Sequence, residues 1–155
     1  MATSRVPAAV DALLAILEAA PGLDGVLIVD GPPWNDLTGN ERLYVGMHPD
    51  GGPAAALVQD FNAAGARTRD EDFVINCYAE VWYGGVEMPA RRARVFQLLG
   101  EVENALRATN EAPQAPTLNG TVLWAHLTAG DLAQDQTTDG ARAGLTFAVS
   151  CRARL

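Results

Sequence analysis

The chain has 155 residues, which suits one domain and is long enough to bury about two-thirds of the surface that its unfolded chain would expose. Its 48% hydrophobic content and mean hydropathy of +0.02 are typical of a globular protein rather than a disordered one. The net charge of −8 argues against sequence-specific DNA or RNA binding, because such domains use a basic face to release counterions. All 11 cationic residues are arginine, so a Schiff-base lysine, a phosphate-loop lysine and a lysine general base are excluded.

The first third of the chain predicts a helix and two short strands. Apolar residues at steps of three and four indicate an amphipathic helix over about residues 6–20, and its internal Asp11 and Glu18 argue against a signal peptide. Strands are expected at 26–30 and 41–47, separated by the turn residues 31–36. Residues 1–4 are expected to be frayed, and 48–67 is predicted as a long loop that could instead hold a short helix or an extended segment bent at Gly65.

A strand, a turn and a helix are predicted over residues 69–108. Residues 73–82 alternate between an apolar and a mixed set, as a half-buried strand requires. Gly84-Gly85 then forms the turn, and the following helix carries Val95, Leu99, Val102 and Leu106 in one stripe. This unit is the best-patterned part of the chain, and nothing in it indicates catalysis.

The last third predicts strands. Residues 109–119 read as a Pro-rich loop, 121–127 and 142–154 alternate as strands, 132–138 is expected to continue as an edge ribbon, and Asp139-Gly140 is a strong hairpin signal. A bulge or bend is expected at Ala129-Gly130. The resulting fold class is α+β, with a single, largely antiparallel sheet of about five strands and two helices packed on one face.

Residues that could carry chemistry are few. Neither serine lies at a strand-to-helix elbow, and the two cysteines share no metal or redox spacing and are expected to be small buried hydrophobes, with a disulfide as the alternative. His48 and His126 are the only histidines, fewer than the ligands of a zinc site. The acids at 131, 135 and 139 are four apart, whereas a looped calcium motif needs acids two apart. No catalytic residue, metal site or cofactor is therefore predicted, and the chain is not expected to be an enzyme.

Taken together, several blocks in this order resemble the tail terminator (tail-completion) proteins of long-tailed, non-contractile bacteriophages of GC-rich actinobacteria. The blocks are VPAAVDALLAILEAAPGL, GVLIVDGPP, RDEDFVINCYAEVWYGG, ARRARVFQLLGEVENALRA and VLWAHLTAGDLAQDQTTDGARAGLTFAVSCRARL. The more specific parts are the order of these blocks and the C-terminal pattern, in which GARA is followed by Phe147, Val149 and the final CRAR. The segment 48–67 does not contribute to the resemblance.

The resemblance implies a structural virion protein at the head-proximal end of the tail, assembled in the host cytoplasm. Such a protein caps the finished tail tube as a homohexameric ring, stops its polymerisation and offers a joining surface to the head–tail connector. Its expected partners are further copies of itself, the tail tube protein and the connector, with no membrane. DNA would pass through the lumen without specific binding, and an acidic lumen would repel its phosphates.

The same resemblance suggests which residues face the lumen and the neighbours. The candidate lumen or rim acids are Asp70, Glu71, Asp72, Asp131, Asp135 and Asp139. The candidate subunit or tube contacts are Trp82, Tyr83, Arg91, Arg92, Trp34 and Phe61, since Trp, Tyr and Arg are enriched at interfaces. The alternatives are another neck or head–tail joining protein of the virion and, less favoured, a small metal-dependent enzyme that uses His48 and His126.

Overall fold

A computed structural model of the chain describes residues 2–34, 37–65, 67–128 and 130–155. The helices are α1 (Val6–Ala19) and α2 (Met88–Ala105), with short 3-10 turns at Pro21–Leu23 and Ala115–Thr117. The strands are β1 (Leu27–Asp30), β2 (Glu41–Val45), β3 (Ala55–Phe61), β4 (Arg69–Tyr83), β5 (Trp124–Thr128), β6 (Leu132–Thr137) and β7 (Gly140–Arg154). Within these ranges, no helix is long and apolar enough to cross a membrane.

Two long antiparallel strands, β4 and β7, form the centre of one sheet, paired from Asp70 opposite Arg154 to Tyr83 opposite Ala141. Each has two shorter strands arranged end to end along its outer side. β3 and then β2 pair with β4, whereas β5 and β6 pair with β7, all of them antiparallel. β1 extends the β2 side and pairs with β2 in parallel.

The predicted sheet is therefore wrong in its strand number and its pairing. The described residues form seven strands in one mixed sheet, not a largely antiparallel sheet of about five. The parallel β1–β2 pair arises because the connection after Asp30 runs back along the sheet instead of reversing as a hairpin. β3 was missed because it lies at an edge with both faces exposed, so its sequence AALVQDF lacks the alternation of a half-buried strand.

The segment 48–67, predicted as a long loop, contains β3, which corresponds to the extended alternative. The strand and the helix predicted in 69–108 and the final strand are confirmed, with small shifts at their ends. The hairpin at Asp139-Gly140 is also confirmed. Gly140 has a φ of +127°, and a side chain there would collide with the backbone carbonyl of Tyr83. Of the predicted turns, Asn35 and Asp36 in 31–36 and Ala129 in the bend lie outside the described residues.

One face of the sheet carries both helices and the core. The odd-numbered residues of β4 and β7, from Phe73 to Val81 and from Ala141 to Ala153, are buried on this face. α1 covers them with Ala9, Leu13 and Leu17, and α2 covers them with Val95, Leu98 and Val102. Burial of this size stabilises the fold by about 25 cal/mol for each Å² of apolar surface removed from water.

The opposite face, here called the open face, carries the even-numbered residues of β4 and β7 and no helix. Loops cover part of it. The guanidinium of Arg42 donates to the carbonyl of Leu37 at 2.6 Å, and the amide of Asn76 donates to that of Pro53 at 2.8 Å. Beneath these loops Tyr44 is buried and stacks on Tyr78, with 5.9 Å between the ring centroids.

Candidate functional site

Two clusters of charged side chains lie on the open face, and Asp70 is the centre of the first. Its carboxylate lies 2.9 Å from Arg154 Nε and 3.1 Å from an Arg152 guanidinium nitrogen. These hydrogen bonds, that of Arg154 first, lower the pKa of Asp70. Asp72 lies 3.5 Å from Arg152, so both predicted lumen acids of this end are paired with arginine.

The second cluster is centred on Glu80, which is only 7% exposed. Its carboxylate lies 3.8 Å from Arg42 and 3.6 Å from Arg142. Arg142 also forms an ion pair with Asp135, which raises the pKa of Arg142, and its guanidinium lies 5.3 Å from the ring centroid of Trp82. The predicted acid Asp135 and the predicted contact residue Trp82 therefore meet through one arginine.

These two clusters are far apart along the sheet. Asp72 is opposite Arg152 and Asp135 is opposite Arg142, ten positions apart on β7. At about 3.3 Å per residue this is on the order of 33 Å. Together the clusters pair four carboxylates with four arginines, so they add little net negative charge to the open face.

Glu71 lies on the other face and is fully buried. Its carboxylate accepts hydrogen bonds from the backbone N–H of Arg5 at 2.8 Å and from the side-chain amide of Gln59 at 2.5 Å. Arg5 is the N-cap residue of α1, where the helix dipole favours a negative charge. Within one chain, Glu71 therefore joins α1, β3 and β4 and is not presented to a lumen.

The remaining predicted acids are exposed, Asp131 between the collinear strands β5 and β6 and Asp139 in the β6–β7 turn. Asp131 precedes β6, where its backbone N–H donates to Thr146 Oγ1 at 2.7 Å. Asp139 occupies the β6–β7 turn, and its backbone N–H donates to Thr137 Oγ1 at 3.1 Å. Both carboxylates face solvent, so they remain suited to a rim.

The predicted contact residues of the β4–α2 turn are largely engaged within the chain. The Arg91 guanidinium lies 4.9 Å from the centre of the Tyr83 ring and donates to the carbonyl of Gly84 at 2.7 Å. Arg92 donates to Gln134 at 2.8 Å, which ties α2 to β6. Among the described residues, no acceptor lies within reach of the buried Trp82 Nε1 and Arg91 Nε.

The predicted contacts Trp34 and Phe61 are the most exposed aromatic side chains among the described residues, at 90% and 70%. Trp34 follows β1, and Phe61 ends β3. Phe61 also lines a cavity of about 380 Å³ together with Ala63, Ala64 and Gly65. Both lie on the side of β4 that carries β1, β2 and β3.

Sequence reasoning missed Glu80, Arg42 and the Glu41–Arg94 pair. Arg94 binds both carboxylate oxygens of Glu41, at 2.7 and 3.0 Å, and this lowers the pKa of Glu41. Such pairs depend on strand register and helix placement, which a single sequence does not give. The alternation of β4 did contain a signal for Glu80, because it places a carboxylate between Tyr78 and Trp82.

The histidines and cysteines do not meet in a metal site. Within the described ranges, no group of three or more His, Cys, Asp or Glu side chains is placed to hold a metal ion. His126 stacks on Trp124 with 4.8 Å between ring centroids, and His48 Nδ1 accepts from the backbone N–H of Asp50 at 3.2 Å. Cys77 and Cys151 are free and buried, as predicted, and burial raises the pKa of each thiol to about 12.

Comparison of the sequence with models of known protein families finds no match, and comparison with curated proteins finds none either.

Proposed function

We propose that this chain is a structural subunit that caps the tail tube of a long-tailed, non-contractile phage as a ring and joins it to the head connector. The observation that carries the proposal is the exposure of different apolar residues on the two opposite edges of the sheet. One edge exposes Leu57, Val58 and Phe61, and the other exposes Leu123, Trp124 and Leu132.

This arrangement supports a ring because a closed head-to-tail assembly needs two different, mutually complementary surfaces on each subunit. Exposed apolar side chains that are clustered in this way mark protein contacts more often than isolated ones do. The two sets are separated by the width of the sheet, since β3 lies outside β4 whereas β5 and β6 lie outside β7. Each copy can thus contact two neighbours at once.

In the proposed ring, the open face lines the lumen. Four of its carboxylates are paired with arginine, so DNA passes a surface of nearly balanced charge. Phosphates bind tightly only where several unpaired cations release counterions together, and the open-face arginines described above are all held by acids. Exposed negative charge comes from Asp131, between β5 and β6, and from Asp139, in the β6–β7 turn.

The proposal is tested with the purified chain and with the phage that carries it. Mass photometry and negative-stain imaging are expected to show rings of several copies, alone or on the ends of tail tubes. A phage lacking the gene is expected to make overlong tails without heads, because nothing stops the tube. Tails of normal length joined to heads would reject the proposal.

A further inference from the structure

The outer edge of β3 has free backbone hydrogen-bonding groups at defined positions. The N–H of Asn76 donates to the carbonyl of Ala54 at 2.9 Å, and the N–H of Asn62 donates to that of Thr68 at 3.3 Å. In an antiparallel ladder, hydrogen-bonded pairs alternate with non-bonded pairs. The even-numbered residues of β3 therefore bond to β4, and Leu57 and Gln59 direct their N–H and C=O groups away from the sheet.

β5 has the matching arrangement on the opposite edge. The N–H of Thr146 donates to the carbonyl of Asp131 at 2.9 Å, so the even-numbered residues of β7 bond towards the side that carries β5 and β6. His126, opposite Ser150, is then bonded to β7, and Ala125 and Leu127 direct their backbone groups outward.

The outward-directed residues of both strands have their side chains on the same face. Leu57 is opposite Phe73, and Ala125 is opposite Cys151, both of which are buried under the helices. β3 and β5 also run in opposite directions, because each is antiparallel to one of the two antiparallel central strands. If a second copy continues the sheet, its β5 meets β3 in antiparallel orientation with the helices of both copies on one side.

Position along the sheet and side-chain chemistry favour β5 over β6 as the partner. β3 pairs with the first half of β4, which lies opposite residues 149–155 of β7, and β5 pairs with residues 148–152 at the same level. β6 pairs with residues 140–145 and is displaced towards the other end. β6 also presents the polar run Gln134, Asp135 and Gln136, whereas Leu123 and Trp124 at β5 match the apolar β3.

β3 lacks the features that prevent edge pairing. Natural edge strands are protected by lysine, proline, bulges or short length. β3 has seven residues, AALVQDF, with one charge at Asp60 and no proline, glycine, lysine or arginine. Val58 is 64% exposed on this unprotected edge.

We propose that β3 of one copy pairs antiparallel with β5 of the next, so that the sheet continues across the subunit interface. This pairing specifies the contact between subunits of the proposed ring, and the role of the contact rests on the proposed function. The partner of the β3 edge is a second copy, because one chain carries both complementary edges. β3 and β5 lie at the same position along the sheet, and their outward-bonding residues have side chains on the same face.

Cross-linking between copies tests the pairing. An Ala56→Cys chain is mixed with a His126→Cys chain under copper-phenanthroline oxidation at about pH 8. Ala56 and His126 lie on one row of the sheet, because Ala56 is opposite Val74, Val74 opposite Ser150, and Ser150 opposite His126. Within one chain these positions are separated by β4 and β7, about 14 Å across three strand spacings, which is too far for a disulfide. Covalent dimers are therefore expected only from two copies, and native Cys77 and Cys151 stay unreactive because they are buried.

The matched control is Val86→Cys mixed with His126→Cys, since Val86 is 75% exposed but lies in the β4–α2 turn. At least a tenfold higher yield of covalent dimer is expected from the Ala56 mixture. If rings form but the two mixtures give equal yields of covalent dimer, the pairing is overturned and the proposed function stands. Cross-linked pairs without rings would keep the pairing and reject the ring. If neither rings nor specific cross-links are observed, both the ring and the pairing are rejected.

A backbone substitution separates strand pairing from simple apolar contact. Leu57→Pro removes an outward N–H that β4 does not use, whereas Leu57→Ala keeps that N–H and removes the side chain. Leu57→Pro is expected to weaken association by at least tenfold more than Leu57→Ala, with circular dichroism confirming that both variants are folded. Equal weakening by the two variants would show that the edge hydrogen bonds are not made.

Discussion

Glu71 Oε1 accepts a hydrogen bond from the backbone N–H of Arg5 at 2.8 Å, so a buried carboxylate on β4 closes the N-terminus of α1. The same carboxylate holds the amide of Gln59 on β3, and that amide also donates to the carbonyl of Thr3 at 2.8 Å. One acid thus connects the start of the chain with two strands that are distant in sequence. Its role is to order the subunit.

We predict that Glu71→Ala lowers the free energy of unfolding by about 2–3 kcal/mol, because the backbone N–H of Arg5 and the amide of Gln59 lose their buried acceptor. Glu71→Gln keeps one acceptor oxygen and is expected to lose about 1 kcal/mol. Urea unfolding measures both. Asp72→Ala, at the exposed neighbouring position, is the control and should stay within about 0.5 kcal/mol of wild type. An equal loss in the control would show that Glu71 has no special role.

Glu41 and Arg94 give a prediction about pH. Arg94 lowers the pKa of Glu41 from its ordinary value of 4.5, so ionised Glu41 stabilises the folded chain. This contribution is fully present above pH 4.5 and is lost as the pH falls through the lower folded pKa. Wild type is therefore expected to be more stable than Glu41→Gln at about pH 7, and the difference should shrink below pH 4.5.

Urea midpoints measured from about pH 2.5 to about pH 7 check this, with Glu103→Gln as the control because Glu103 pairs with Arg107 only at the exposed surface. A Glu41→Gln difference that does not change with pH would contradict the assignment.

Arg142 contacts Glu80, Asp135 and Trp82, so its removal is expected to lower the stability of the fold. Arg142→Ala leaves the buried carboxylate of Glu80 with Arg42 alone, at 3.8 Å, and uncovers the ring of Trp82. We expect a loss of about 2 kcal/mol and a change in tryptophan fluorescence, since breaking a buried ion pair destabilises more than breaking an exposed one. Arg154→Ala, which removes an exposed partner of Asp70, should change stability much less. Equal effects of the two substitutions would contradict this difference.

The two thiols report on the integrity of the core. Because burial raises the pKa of Cys77 and Cys151 to about 12, neither forms appreciable thiolate at about pH 8. An aromatic disulfide reagent is expected to label both residues in denaturant and to label them in native buffer only at the rate of unfolding. Rapid labelling of the native chain, faster than its unfolding measured by fluorescence, would contradict the buried placement.

The extent to which the sequence predicts this fold depends on burial. β4, β7 and α2 were found because each has one buried face, and its apolar residues recur with the period of the strand or helix. β3 has no covered face, so nothing in its sequence records its two-residue period. The parallel β1–β2 pair depends on the path of the connection, which residue types alone do not specify.

The candidate site shows the same limit at the level of single residues. Asp70, Glu71 and Asp72 form one acidic run in the sequence, but the strand directs Glu71 into the core and its two neighbours to the open face. If the alternation of β4 is extended upstream from Phe73, it places Glu71 on the buried face and Asp70 and Asp72 on the opposite face. The arginines that neutralise Asp70 and Asp72 come from β7, between 80 and 84 residues away, and only the register brings them together.

The end-to-end arrangement of the short strands has a mechanical consequence. β3 gives way to β2 at Asn76 of β4, and β5 gives way to β6 just beyond the opposite residue, Ala148 of β7. Asn76 bonds to both outer segments, since its N–H donates to the carbonyl of Ala54 and its own carbonyl accepts from the N–H groups of Gly46 and Met47. Ala148 likewise still pairs with Thr128 of β5. The two half-sheets are therefore coupled through Asn76, and a load that a neighbouring subunit places on β3 would be passed on to β2 instead of stopping at the junction.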